Sequence, residues 1–285
     1  MEKLEKFPYS FVNLLELFFV YIFISVSLTL LYVLAHVIIE TIPFSERGNF
    51  SLPLKSIFAS ALMQLLSILI LIYYVSRKQN RTWADILRFK SVKPILIASI
   101  IPLILGSGII RSEISNLLNH IVTIPGYSSR DVLKLFGNPL NSFIFVVITA
   151  PIIEEILFRG IILEGFLSRY SPRKAILISA FIFSIVHLNP LHFFDIILVG
   201  IILGYLYTTT RSLIPCIIAH SLNNVLGWGS HYLTSDISAV VDNALEGPQF
   251  QPLWLDLFGI LILMFGVWAL IKTIDNPQGL NTNTQ

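Results

Sequence analysis

The sequence has 285 residues, of which 55% are apolar or aromatic and only 13% are Asp, Glu, Lys or Arg. A water-soluble fold of this size is excluded, because its exterior needs more polar residues than this chain contains. A net charge of +2 provides no basic surface for nucleic acid, and the single cysteine, Cys216, excludes an internal disulfide framework. The composition indicates a polytopic membrane protein whose surroundings are the lipid bilayer.

Apolar stretches long enough to cross a bilayer as helices predict eight transmembrane segments. They cover residues 11–39, 54–75, 95–110, 140–166, 174–189, 193–209, 212–228 and 253–272. The third contains Pro102 and continues as an amphipathic segment towards Ile124, and a tight turn at Asn189 and Pro190 joins the fifth and sixth. No connection is long enough for a soluble domain. We therefore expect one all-α membrane domain over 1–285, with a loose tail at 276–285.

The basic residues are distributed unevenly between the two sides of these eight segments. Thirteen lie on the side of both termini: Lys3, Lys6, Arg77, Lys78, Arg81, Arg88, Lys90, Lys93, Arg169, Arg173, Lys174, Arg211 and Lys272. Five lie on the other side: Arg47, Lys55, Arg111, Arg130 and Lys134. Cytoplasmic loops carry the excess of Lys and Arg, so we expect both termini in the cytoplasm and the protein in the plasma membrane.

The fourth segment, PIIEEILFRGIILEGF, holds three ionisable residues near its centre, where each costs about 2.5–3.5 kcal/mol on insertion scales. Glu155 and Arg159 are one helical turn apart and can form an ion pair. Glu154 points roughly 100° away, which leaves it available as a general base that takes a proton from water. The alternative is a structural ion pair that holds two helices together. Glu164, near the cytoplasmic end, is expected to be solvated.

Two later segments contain histidines in otherwise apolar surroundings. FSIVH places Phe183 and His187 one turn apart, and HSLNN does the same for His220 and Asn224. Each histidine taken alone is more often a helix-packing residue. By rise per residue, Glu154 and both histidines lie roughly 12–20 Å from the cytoplasmic ends of their segments. We therefore expect them to meet in a buried polar cavity that water can reach.

The strings EEILFR, FSIVH and HSLNN, each in its own segment, resemble the CAAX protease and bacteriocin-processing family of intramembrane glutamic endopeptidases. This family includes the type II CAAX prenyl endopeptidase. The resemblance covers about 139–228 and extends to the spacing of Gly200 and Gly204, which we expect to allow close helix packing. It implies an endopeptidase that acts on a peptide or protein substrate reaching the membrane, without a metal or other cofactor.

The resemblance also implies a role for each motif residue. Glu154 would activate the hydrolytic water, and His187 would hold or polarise this water. His220 and Asn224 would donate hydrogen bonds to the oxyanion of the tetrahedral intermediate. Glu155 would position the catalytic carboxylate, and Arg159 would act with it in the same way.

Several alternatives stay open at this point. Two glutamates and two histidines could bind zinc, although no HExxH motif is present, and Cys216 lies one turn before His220, as in a thiol dyad. The protein could instead be a non-catalytic immunity or regulatory partner with an idle cavity. A transporter is a third alternative, but the sequence lacks repeated halves. The sequence does not distinguish CAAX processing from leader-peptide or bacteriocin processing, and it leaves the oligomeric state open.

Overall fold

A computed structural model describes residues 11–41, 57–121, 138–188, 192–233 and 250–275. Every regular element in these ranges is helical, and no strand occurs among them. The nine helices, named in chain order, are α1 (Phe11–Thr41), α2 (Ile57–Gln79), α3 (Trp83–Leu87), α4 (Pro94–Ile121), α5 (139–167), α6 (Pro172–Val186), α7 (Phe193–Thr210), α8 (Ile214–Leu233) and α9 (Leu253–Asp275). The prediction of an all-α membrane protein is confirmed.

Five of these helices contain a stretch long and apolar enough to cross a membrane. The stretches are Leu15–Ala35, Ala61–Gln79, Pro94–Leu118, Phe193–Thr210 and Leu253–Asp275. The number of eight spans is therefore not confirmed. The remaining long helices are α5, α6 and α8, which carry the motif residues; α6 has only 15 residues. The predicted turn at Asn189 and Pro190 and the predicted tail lie outside the described residues.

Helix α5 runs through the centre of the fold and changes geometry along its length. Its five consecutive segments are Pro139–Ser142, Phe143–Thr149, Ala150–Glu155, Ile156–Leu163 and Glu164–Leu167. The second and fourth segments are π-helical, and every residue of the fourth is buried. Wider π-helical turns occur most often at functional sites. Here they flank the short α-helical segment that ends with the two adjacent glutamates.

Glycines allow close approach of α6 and α7. A Cβ added at Gly200 would lie 2.9 Å from the Cβ of Ala180, and one at Gly204 would lie 3.0 Å from Cγ2 of Ile176. The close packing expected from this Gly-xxx-Gly pair is present. It brings the backbone of α7 next to the helix that ends at His187.

Helices α4 and α9 approach each other even more closely, which the sequence analysis did not anticipate. A Cβ at Gly106 would lie 2.3 Å from the Leu263 nitrogen, and a Cβ at Gly266 would lie 2.4 Å from the Leu103 nitrogen. Neither contact leaves room for a side chain. The glycines therefore fix α9 directly against the backbone of α4.

The expectation that Glu164 is solvated is wrong. Its side chain is 1% exposed and forms ion pairs with Arg88 at 2.8 Å and Arg211 at 2.7 Å. The Tyr207 hydroxyl donates to the same carboxylate at 3.1 Å. Arg88 and Arg211 follow α3 and α7 with left-handed backbone (φ 37° and 52°), and both side chains turn towards the end of α5. These four residues, the Glu164 cluster, join two interhelical connections to α5.

Short helix α3 begins with a capping box. The Thr82 side chain accepts from the backbone of Asp85, while the Asp85 carboxylate accepts from the Thr82 backbone at 2.9 Å and from its hydroxyl at 2.7 Å. These hydrogen bonds from Thr82 hold the pKa of Asp85 below its ordinary value. The box fixes the start of the segment that delivers Arg88 to the Glu164 cluster.

Candidate active site

The centre of the site is a buried ion pair extended by a histidine. Arg159 Nη1 donates to Glu155 Oε1 at 2.8 Å, as the one-turn spacing predicts, and Nη2 donates to the Gly200 carbonyl at 3.2 Å. The guanidinium also lies 4.6 Å from the centre of the Phe183 ring. Nδ1 of His220 lies 2.7 Å from the same Glu155 oxygen. Glu155 therefore links α8 to α5 and holds His220 in one orientation.

The adjacent carboxylate, Glu154, lies in a different environment. Its Oε2 is 3.8 Å from Nε2 of His187 and 3.8 Å from Nε2 of His220. This oxygen is buried and accepts no hydrogen bond from the described part of the chain. The distances exceed those of a direct hydrogen bond. The Glu154 and His187 side chains are 29% and 31% exposed, so neither is fully enclosed by protein.

The partners of the two Nδ1 atoms determine which histidine nitrogen faces Glu154. Nδ1 of His187 lies 2.6 Å from the Phe183 carbonyl, which can only accept, so this Nδ1 carries the hydrogen. Nδ1 of His220 donates to Glu155, a carboxylate that is itself paired with Arg159. Both imidazoles therefore turn Nε2 towards Glu154. His187 follows the last residue of α6, and its bond to the Phe183 carbonyl one turn back holds the ring in this orientation.

Phe183 forms one wall of the site. Its ring meets His187 edge-on with centroids 4.7 Å apart, His220 at 5.7 Å, and Phe158 at 4.9 Å. Such T-shaped contacts are favourable because the positive ring edge meets the negative ring face. The FSIVH motif therefore supplies a histidine together with the aromatic ring that limits its rotation.

Asn224 contacts α5 at a different point from His220. Its Nδ2 donates to the Val146 carbonyl at 2.9 Å. In the π-helical segment Ala150 N–H donates to the carbonyl five residues back, but the next residue, Pro151, has no N–H. This leaves the Val146 carbonyl available for Asn224. One N–H of the Asn224 amide is not used by this bond, and its role at an oxyanion stays a prediction.

Two polar residues near Asn224, Arg111 and Asn223, were not identified as site residues from the sequence. Arg111, expected from the sequence on the side opposite the termini, is buried inside α4, which continues to Ile121. Its guanidinium forms an ion pair with Asp195, and Nη2 donates to Asn223 Oδ1 at 2.5 Å. The useful signal in the sequence was the double asparagine of HSLNN together with an isolated acid at the start of α7.

The structure also bears on the two alternative site chemistries, a zinc site and a Cys–His dyad. Among the described residues, no group of three or more His, Cys, Asp or Glu side chains is arranged to hold a metal ion. The Cys216 thiol is buried and donates to the carbonyls of Leu203 and Ser212, both at 3.5 Å. The thiol is thus directed to backbone carbonyls, which does not favour the Cys–His dyad.

Comparison with known protein families agrees with the motifs. Residues 136–226 match the family model described as Rce1-like, type II CAAX prenyl endopeptidase Rce1-like. This stretch contains all six predicted site residues, and the resemblance seen in the three motifs is confirmed. No curated protein matches the chain. The chain is an integral membrane protein, and its residues 136–226 are similar to this protease family.

Proposed function

We propose that this protein is an intramembrane endopeptidase that uses Glu154 to activate water. The observation that carries the proposal is the position of Glu154 Oε2, which accepts no hydrogen bond from the described residues and has two imidazole Nε2 atoms at 3.8 Å. A water molecule between these groups would give one hydrogen to Glu154 and the other to Nε2 of His187. Its oxygen would then attack the peptide carbonyl carbon.

Proton transfer then follows a simple course. Glu154 takes the proton of the attacking water, and a tetrahedral intermediate with a negatively charged oxygen forms. As the C–N bond breaks, Glu154 passes that proton to the nitrogen of the leaving amine. The carboxylate returns to its starting state, so a single group serves as base and then as acid.

His220 and Asn224 are the proposed donors to the oxyanion. His220 donates from Nε2 only as an imidazolium, because its Nδ1–H is held by Glu155. The Asn224 amide retains one N–H after bonding to Val146. Loss of one such donor in other acyl-transfer enzymes lowers kcat by about 10²–10³-fold.

The substrate class we propose is CAAX-type, a peptide with a lipid-modified cysteine near its C-terminal end. Leader or bacteriocin processing is the alternative. A groove of about 520 Å³ between α1 and α6 supports this choice. Its walls are apolar and include Phe18, Phe19, Phe181, Ile182, Ile185 and Val186. Because α6 ends at His187, an isoprenoid chain in this groove would lie near the reacting atoms.

We further propose that the protein lies in the plasma membrane with both termini in the cytoplasm. The Glu164 cluster supports this orientation. It joins the connections that contain Arg88 and Arg211, and both connections are predicted to lie on the cytoplasmic side. On the opposite side, Ser115 of α4 lies 3.4 Å from His192, which precedes α7. The excess of basic residues on the side of the Glu164 cluster indicates that this side is cytoplasmic.

A zinc hydrolase is the second candidate, and one observation favours it. Both histidines direct Nε2 at a carboxylate and donate from Nδ1 to an acceptor, as zinc-binding histidines do. Incubation with 1,10-phenanthroline and back-titration with Zn²⁺ distinguishes the two candidates. The proposed mechanism predicts unchanged kcat, whereas loss and recovery of activity would establish zinc.

The function is tested with purified protein in liposomes and a fluorescence-quenched peptide with a farnesylated CAAX end. Glu154→Gln keeps size and polarity but removes the base, and we expect kcat to fall about 10²–10⁴-fold. Glu16→Gln is the matched control, because Glu16 is an exposed glutamate on α1 and should retain wild-type activity. The same peptide without the farnesyl group tests the substrate class.

Two results would contradict the proposal. Cleavage by Glu154→Gln at the wild-type rate would exclude this carboxylate as the base. Absence of cleavage products with wild-type protein, both with these peptides and in cell membranes, would favour the non-catalytic immunity or regulatory partner. Equal cleavage of both peptides would move the substrate class to leader or bacteriocin processing.

A further inference from the structure

A chain of polar side chains leads from α4 to the site helix. Asp195 pairs with Arg111, whose Nη2 donates to Asn223 Oδ1 at 2.5 Å. Asn223 Nδ2 donates to Asn224 Oδ1 at 3.2 Å, and Asn224 Nδ2 donates to the Val146 carbonyl at 2.9 Å. Arg111 lies outside residues 136–226, the stretch that matches the family model.

The two ends of this chain leave only one orientation for each amide between them. The guanidinium of Arg111 has donors but no acceptor, so it must face the oxygen of Asn223. The Asn223 NH₂ group then faces Asn224, which must present its own oxygen in return. At the far end a backbone carbonyl, which only accepts, requires the NH₂ group of Asn224. A flip of either amide would place two donors or two acceptors in contact.

We infer that Arg111 is a positioning residue for catalysis, which acts through Asn223 to fix the orientation of the Asn224 amide. This inference rests on the proposed role of Asn224 as an oxyanion donor. With the observed orientation the remaining N–H of Asn224 is available to a developing negative charge. With the amide reversed, its oxygen would repel that charge. Asp195 balances the charge of Arg111, which is 7% exposed inside the membrane segment.

The sharpest test is Asn223→Asp, assayed with the farnesylated quenched peptide in liposomes. The aspartate accepts from Arg111 as before but has no hydrogen to donate, so Asn224 must turn its NH₂ group towards residue 223. We expect kcat to fall about 10²-fold with KM within about threefold of wild type. Wild-type kcat in Asn223→Asp would overturn the inference, since this variant keeps the contact with Arg111 but cannot donate to Asn224.

Arg111→Lys and Arg111→Met provide a second test that does not depend on folding of the aspartate variant. Lysine, like arginine, only donates, so kcat should stay within about threefold of wild type. Methionine leaves the Asn223 amide without a fixed partner, and kcat should fall at least tenfold. Equal kcat values for the folded fractions of these two variants would overturn the inference.

Arg211→Met is the control, because it removes a partly buried, ion-paired arginine from the remote Glu164 cluster. We expect lower stability but unchanged kcat in the folded fraction. A decrease in kcat equal to that of Arg111→Met would attribute the effect to lost ion pairs in general. Glu154→Gln, assayed in parallel, separates the two proposals. If Glu154→Gln retains activity, the proposed function fails. If Glu154→Gln is inactive but Asn223→Asp and Arg111→Met retain activity, the inference alone fails.

Discussion

Two glutamates that are neighbours in the sequence have opposite surroundings in the fold. Glu155 Oε1 is bound by Arg159 and His220, both within 2.8 Å, whereas Glu154 Oε2 accepts no hydrogen bond from the described residues. Successive helical residues point about 100° apart, so one carboxylate faces the buried arginine and the other faces both imidazoles. On this difference we base the proposal that Glu155 has a structural role and Glu154 the catalytic one.

This difference predicts opposite behaviour of the two Glu→Gln variants. Glu155→Gln leaves the buried Arg159 charge uncompensated, and we expect the free energy of unfolding to fall by about 3–5 kcal/mol. Glu154→Gln removes no hydrogen bond between described residues and should unfold at the wild-type temperature. Thermal unfolding in detergent, followed by circular dichroism, measures both. Equal stability of the two variants would contradict the assigned roles.

The sequence predicts contacts between residues one helical turn apart, but not contacts between residues that are distant in the chain. The Glu155–Arg159 pair follows from a separation of four residues on a helix. The bond between Glu155 and His220 joins residues 65 positions apart, and no sequence pattern determines which oxygen faces which nitrogen. Arg111 and Glu164 were misjudged for a related reason. Helix ends and loop positions, rather than residue type, decide whether a charged residue is buried.

At the element scale, the position of α6 against α7 determines where His187 lies. Gly200→Ala would place a Cβ 2.9 Å from the Ala180 Cβ and force the helices apart. We expect a loss of about 1–3 kcal/mol in stability, as for other overpacked sites, together with a lower kcat. Activity and unfolding temperature of the purified variant test this expectation.

Gly227→Ala is the control for that variant, because a Cβ at this position in α8 would have no atom of another described element within 4 Å. Alanine favours the helix over glycine by about 0.5–1 kcal/mol, so stability should be equal or higher with unchanged kcat. Wild-type stability and kcat in Gly200→Ala would show that the close α6–α7 contact does not control the site.

The Glu164 cluster predicts a stability effect separate from catalysis. Glu164→Gln leaves Arg88 and Arg211 sharing a neutral amide at the end of α5. We expect a lower unfolding temperature. The kcat per folded molecule should stay at the wild-type value, because the described ion pairs of the cluster do not include any of the motif residues. A selective loss of kcat at wild-type stability would contradict this separation.

The geometry within α5 was not predictable from the apolar pattern. The sequence predicts a helix over 140–166, but a continuous apolar stretch has the same composition whether its turns are α- or π-helical. The outcome matters for the site, since the π-helical register and Pro151 together leave the Val146 carbonyl to Asn224. Contacts such as that between Asn224 and Val146 accompany one of two helical geometries that the apolar pattern alone does not distinguish.

For the whole molecule, composition and periodicity predict the class and the helix positions well. A helix lies near each predicted segment, and residues 136–226 match a membrane protease family. The number of spans is less predictable, because α5, α6 and α8 carry polar residues or are short, so length and hydropathy do not identify them as spans. The helices that form the site are the ones that depart from a simple membrane-spanning pattern.

The most direct test of the central claim is a comparison of peptides from cell membranes and medium, measured by quantitative mass spectrometry. Cells expressing wild-type protein, Glu154→Gln or the Glu16→Gln control are matched for abundance of the protein. The account predicts a set of fragments present with wild type and Glu16→Gln and absent with Glu154→Gln, whose new ends mark the cleaved bond. Identical fragment sets in all three would contradict proteolysis by Glu154.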